Sequence, residues 1–185
     1  MSAKDTVVTF DPSQYEHLPL EFQPPQDGGP GYLLGKPALL SILPVARLPK
    51  GLLPKRGLRL QPPRFHYGWA YREKELFEMA KRCGFLVVPP DMPMELRYMD
   101  DLATQDELGR LLREQLGIHS CTPKLYVAFS RDSSLCISLT TNYKTGNRPP
   151  PQDDVQAIQD FLGIEQPPAW FVDAEGYGKW QIFRI

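Results

Sequence analysis

Two stretches of this chain share one plan. Residues 105–118 read QDELGRLLREQLGI, and residues 152–164 read QDDVQAIQDFLGI, one residue shorter. Each carries apolar residues at helical spacing and ends in Gly-Ile. Each is then followed by proline, a strand-like stretch, a turn and a second strand-like stretch. A helix of this length gains most of its stability by packing its apolar stripe on a neighbour, and the nearest neighbour in sequence is the hairpin behind it. The pattern therefore predicts tandem helix-hairpin (αββ) units at about 104–141 and 151–185. Their sum is a two-layer α+β fold, an antiparallel sheet with helices on one face.

The details of each unit follow from local chemistry. In the first, Thr104 and Glu107 have the spacing of a capping box. Leu108, Leu111, Leu112 and Leu116 make the buried stripe. Gly117 supplies a left-handed stop and Ile118 the apolar contact that follows it. Residues 124–130 (KLYVAFS) and 135–141 (LCISLTT) alternate with period two, around a turn at 131–134 (RDSS). Leu125, Val127 and Phe129 share one face, as do Leu135, Ile137 and Leu139. In the second unit, Pro151 suits the first helical position, and Asp153 and Asp154 suit the positive end of the helix dipole. Val155, Ile158 and Leu162 line its inner face. Residues 169–173 and 179–185 predict a hairpin around 174–178. Upstream, residues 72–83 predict a helix with Leu76, Met79, Ala80 and Cys83 on one face, stopped at Gly84. Residues 85–88 (FLVV) predict a short strand. Residues 91–101 read as loop, with an extended piece at 96–98.

Residues 1–66 have a different texture, with eleven of the chain's twenty prolines. Each proline removes a backbone donor and obstructs the preceding turn, so regular helix is not expected there. Residues 6–10 (TVVTF) predict a short strand. Residues 38–45 (ALLSILPV) are strand-like until Pro44 makes them an edge or a bend. Leu33, Leu34, Leu39, Leu40, Ile42, Leu43 and Val45 are too many large apolar groups to leave in water. The chain thus divides into a proline-rich, basic, extended arm at 1–66 and an α+β domain at 67–185. The arm is expected to cover the sheet face opposite the helices.

The net charge of −1 conceals an asymmetry. Between Gly28 and Arg72 there are eight Lys or Arg and no acid, so that segment carries +8, against −4 before it and −5 after it. Arg47, Lys50, Lys55, Arg56, Arg59 and Arg64 lie in this tract, and Phe65, His66, Tyr67, Trp69 and Tyr71 follow. Cations for phosphates and aromatic faces for bases are what single-stranded nucleic acid needs. The plainer reading is a solvated connector whose leucines dock on the core; no RNP-like motif, zinc finger or helix-turn-helix accompanies the tract. Prolines at 44, 49 and 54 break any amphipathic helix that would lie on a membrane. No apolar run approaches the ~20 residues that span one.

Chemistry-bearing motifs are sparse. Cys83, Cys121 and Cys136 are odd in number and widely spaced, which argues against a disulfide framework. The amino terminus lacks a signal-peptide pattern. An intracellular protein, cytoplasmic or nuclear, with reduced thiols is expected. His119 and Cys121 are not at a standard zinc spacing, so neither metal nor cofactor is expected. Asp100–Asp101 and Asp153–Asp154 are explained by helix capping. The Gly-rich pieces at 28–31 and 174–178 lack a phosphate-loop or dinucleotide fingerprint. Residues 144–148 (KTGNR) read first as a polar loop.

Three functions follow. The first is a non-catalytic binding or scaffold protein that recognises a partner protein, with Trp69, Tyr71, Trp170 and Trp180 as anchors; full burial of Trp170 and Trp180 would remove that surface. The second is nucleic-acid binding through residues 47–72. The third is a small-molecule enzyme or ligand-binding protein with a pocket between sheet and arm. There His66, His119, Cys121, Tyr126 and Asp173 are the first suspects. Nothing in the sequence sets the oligomeric state.

Overall fold

Four alternating segments close on one another. They are β3 (Phe65–Tyr71), β4 (Lys124–Phe129), β5 (Leu135–Thr141) and β6 (Ala169–Asp173). A computed structural model describes residues 11–26, 30–32, 36–55, 60–89, 99–130, 135–144, 149–174 and 179–182. It shows mixed helix and strand with antiparallel sheets, an α+β fold. The four strands run in the order β3-β5-β4-β6, and β6 pairs back on β3, so the sheet is a closed barrel. The β4–β5 hairpin has the predicted faces in register, Leu125 opposite Ile137 and Val127 opposite Leu135.

The second predicted hairpin is corrected. β7 (Lys179–Ile182) pairs with β1 (Gly31–Tyr32) and β2 (Leu60–Gln61), making a separate three-stranded sheet. Its place beside β6 is taken by β3, which the sequence left as aromatics trailing the basic tract. Period-two alternation identifies a strand and its faces, but not its neighbour.

Closure changes what the two faces of the sheet are for. Directly opposed residues share a face. On one face Trp69, Ile137 and Leu139 pack into a core with Leu76, Met79 and Ala80 of α2 (Glu73–Cys83), Leu108, Leu111 and Leu112 of α3 (Asp101–Leu116), and Val155, Ile158 and Leu162 of α4 (Gln152–Leu162). Each fully buried Leu, Ile or Val among them contributes ~1.5–3 kcal/mol relative to exposure. Around the barrel, Phe65, Trp170 and Val172 of that same outer face enter a second core with Tyr15, Leu18, Phe22, Leu39, Leu52, Leu60 and Trp180. The opposite face is not a surface awaiting cover but the lumen. Its opposed pairs include Gly68–Ser138, Gly68–Ala169, Ala70–Cys136 and Ala128–Asp173, with His66–Phe171, Tyr126–Cys136 and Lys124–Ser138 on the same face. Four strands enclose little space, so Gly68, Ala70, Ala128, Cys136 and Ala169 leave room for the larger Phe171 and His66. At Gly68, beside a bulge between Tyr67 and Gly68, an added Cβ would stand 1.8 Å from the Ile137 carbonyl oxygen.

Other expectations shift locally. Residues 38–45 are not a strand: α1 (Lys36–Ile42) is helical, and only a single bridge joins Val45 to Trp170. Residues 85–88 form no ladder; Phe85 is buried and Val87 bonds to Asp100 and Thr104. That use of Thr104 explains why it does not cap α3. The helix starts earlier, with Asp100 Oδ1 accepting from the Ala103 amide at 2.9 Å. Pro151 occupies the cap of α4, one residue before its first turn. Gly84, Gly117 and Gly163 all adopt the left-handed conformation read from the sequence or its repeat. The strand read at 6–10, the extended piece at 96–98 and the turn at 131–134 lie outside the described residues. Among the described residues no helix is long and apolar enough to cross a membrane.

Candidate functional site

At one end of the lumen the apolar lining gives way to polar groups. β3 delivers His66, β6 delivers Asp173, β5 delivers Ser138, and all three are at most 3% exposed. His66 Nε2 lies 2.9 Å from Asp173 Oδ2, and His66 Nδ1 lies 3.3 Å from Ser138 Oγ. The Tyr126 ring stacks on the imidazole with centroids 4.2 Å apart. A buried carboxylate is costly unless it accepts hydrogen bonds, which favours the tautomer in which Nε2–H donates to Asp173. Two proton arrangements then satisfy Nδ1. Either Ser138 donates to it and the ring is neutral, or Ser138 donates to the Thr140 carbonyl, 3.0 Å away, and Nδ1–H donates to Ser138. Serine, histidine and aspartate thus form a continuous proton path inside the barrel.

Ser138 and Tyr126 also line a concavity of about 200 Å³ at the mouth where β3 and β4 begin and β5 ends. Its cations are Arg64, Lys124 and Lys144, and its hydroxyls include those of Thr122, Thr140, Thr141 and Tyr143. Among the described residues no carboxylate lines it. Lys124 stands directly opposite Ser138 in the β4–β5 register. Arg64 lies over the Tyr143 ring at 6.0 Å. Tyr143 donates to the Pro62 carbonyl, and burial pushes its hydroxyl up to about 12, partly opposed by Arg64.

The rim is fixed by one buried amide. Asn142 Oδ1 accepts from the Phe65 amide at 2.9 Å, and its Nδ2 donates to Leu52 O at 2.8 Å and Pro63 O at 2.9 Å. Arg64 sits between two residues held in this way, and its own carbonyl accepts from the Asp173 amide at 3.0 Å. Near the opposite end of the barrel is a larger concavity of about 480 Å³, with Glu73, Asp100 and Asp101 among its lining. The Asp101 carboxyl is held above its usual range, chiefly by burial and then by Glu73 and Asp100. Among the described residues, the linings of the two concavities therefore carry opposite charge.

Three of the five residues suspected for a pocket, His66, Tyr126 and Asp173, are brought together. His119 is exposed, and Cys121 is buried with its thiol pushed up mainly by that burial. Cys136 faces the lumen, and burial raises its thiol too. The surface inventory of aromatics is corrected: Trp69 and Trp170 are 4% exposed and Trp180 is 0% exposed, because each fills a core. Trp180 donates to Phe22 O at 3.2 Å and Trp69 to Gln166 O at 2.9 Å, so their polar edges are used internally. Tyr71 is half-buried. In the basic tract Arg47, Lys50 and Lys55 are exposed and Arg64 faces the pocket, while Arg56 and Arg59 lie outside the described residues. Sequence reasoning missed Ser138, Lys124 and Asn142. Ser138 shares its strand parity with Cys136, a polar residue on a face whose partners were not yet known.

No protein-family model, curated protein or solved structure matches the chain.

Proposed function

We propose that this chain is a small-molecule-binding protein that takes an anionic ligand, a phosphate or carboxylate group, at the cationic mouth of its barrel. The observation that carries this reading is the lining of the 200 Å³ concavity: among the described residues, three cationic side chains and several hydroxyls with no carboxylate. One cation 4 Å from an anion contributes ~1 kcal/mol at the dielectric of water and ~4 kcal/mol at the effective value of a protein surface. Three cations with hydroxyl donors support a dissociation constant on the order of a millimolar or tighter, that is ~4 kcal/mol or more. The cavity is below the ~300–1,000 Å³ that engulfs drug-sized molecules, which favours a small anion or the anionic end of a larger one. On this reading the proline-rich segment 1–66 serves the pocket by holding Arg64 on its rim.

Calorimetric titration with inorganic phosphate at constant ionic strength tests the proposal. Saturable binding, weakened at least tenfold by Lys124→Glu, supports it. No binding at millimolar phosphate, or binding indifferent to Lys124, removes it. The scaffold reading has lost its tryptophan anchors to the cores. The nucleic-acid reading keeps the support of exposed Arg47, Lys50 and Lys55. It requires oligonucleotide affinity that falls steeply with salt, measurable by anisotropy.

A further inference from the structure

We infer that the barrel mouth is also a hydrolytic site, in which Ser138 is the nucleophile toward small carboxylic esters that carry a negative charge. The substrate class rests on the anion-site reading above; the nucleophile rests on separate geometry. Among the described residues, Ser138 and Tyr126 both line the concavity and touch His66, and of the two only Ser138 brings a hydroxyl within hydrogen-bond distance of the imidazole. His66 is 0% exposed and reaches the pocket only through Ser138 and Tyr126. A His–Asp pair buried on a face it shares with Gly68, Ala70, Cys136, Ala128 and Phe171 is costly to keep for packing alone. The Tyr67/Gly68 bulge lies directly across from Ser138, and bulges of this kind re-aim side chains beside active sites.

The arrangement assigns the steps. Asp173 accepts from Nε2–H and so leaves Nδ1 as the basic nitrogen facing Ser138. The two nitrogens exchange the roles they have in the familiar serine triad, which alters no proton count. Ser138 turns its hydroxyl from the Thr140 carbonyl to Nδ1. Its oxygen attacks the ester carbonyl carbon as the proton passes to His66. The oxyanion forms beside Lys124, the cross-strand partner of Ser138. Collapse breaks the bond to the alcohol, which leaves with the proton from Nδ1. Water then gives a proton to His66 and attacks the acyl-serine, and Ser138 recovers that proton as the acid departs. One ester and one water become one acid and one alcohol. Asp173 is a positioning residue, and the 200 Å³ volume restricts the acyl chain to a short one.

The test is active-site labelling of the intact chain with a fluorophosphonate, read by peptide mass spectrometry, together with hydrolysis of the mono-p-nitrophenyl ester of succinic acid. Label on Ser138 of the folded protein is expected, with hydrolysis reduced at least ~100-fold in a Ser138→Ala variant that keeps the wild-type circular dichroism spectrum. Asp173→Asn is expected to lower kcat and displace its pH profile with little change in KM. An unlabelled Ser138, or a Ser138→Ala rate equal to wild type, overturns the nucleophile. If phosphate binding survives that result, the anion-site reading stands alone; if phosphate binding is also absent, both fall.

Discussion

Replacing Gly68 by alanine gives the sharpest test of the closed barrel. The added Cβ would lie 1.8 Å from Ile137 O, 2.9 Å from Ile137 C and 3.3 Å from Ser138 Cα. All three are backbone atoms of the strand paired with β3, so no side-chain rotation relieves the clash. The nearest contact is more than an ångström inside the 3.0 Å below which real Cβ atoms are essentially never found. Overpacking typically costs ~1–3 kcal/mol, and a collision with backbone in a closed ladder belongs at the upper end, about 3 kcal/mol. For a chain of this size that lowers Tm by roughly 6–12 °C. Gly109→Ala is the control. It sits inside α3, where a Cβ meets only Arg113 Nη1 at 3.4 Å and Pro123 Cδ at 3.9 Å, ordinary contact distances. There alanine gains helix propensity, and stability should rise by about 0.5–1 kcal/mol. Thermal melts followed by circular dichroism compare the two. A Gly68→Ala Tm within 2 °C of wild type would refute the close approach of β3 to β5, whatever the control does.

The remaining expectations concern the buried polar groups. Asn142→Ala leaves the Phe65 amide and the Leu52 and Pro63 carbonyls without their partner, at a cost of about 3 kcal/mol; limited proteolysis should then cut first between residues 52 and 63. Tyr15, Tyr67, Tyr71 and Tyr143 all have hydroxyls raised by burial, so a native absorbance titration near pH 11 should ionise them last. Because the folded chain holds these protons more tightly than the unfolded one, their contribution is complete below pH 10 and is lost as pH rises, through about 12 for Tyr143. The Tyr71 hydroxyl is buried without a hydrogen-bond partner among the described residues, so Tyr71→Phe should leave Tm unchanged or raise it in the same melts. Native thiol titration should modify half-buried Cys83 first, with Cys121 and Cys136 reacting only after denaturant is added.

The helices were legible because their signals are local. The stripe of Leu108, Leu111 and Leu112 and the glycine at 117 need no knowledge of distant residues. Caps were less so: Thr104 has the right spacing, but its hydroxyl is claimed by Val87, seventeen residues away. Strand faces were legible at β4 and β5, and strand partners were not. That β7 leaves β6 for β1 and β2 is decided by long-range packing around Trp180, which period-two alternation does not contain. The same gap hid the site. Named singly, His66, Tyr126 and Asp173 could be suspected from their chemistry. Their meeting with Ser138 depends on β3 pairing with both β5 and β6, so the proton path exists only once the barrel closes. The tryptophans mislead for the opposite reason, since an amphipathic ring serves an interface and a core equally well.

The most direct measurement is a crystal structure of the protein soaked in tungstate, a tetrahedral oxyanion whose anomalous signal locates it without bias. The account expects a closed β3-β5-β4-β6 barrel with the anion at its mouth, in contact with Lys124 and the hydroxyl of Ser138. An occupied anion elsewhere with this mouth vacant, or a sheet left open between β3 and β6, would contradict it.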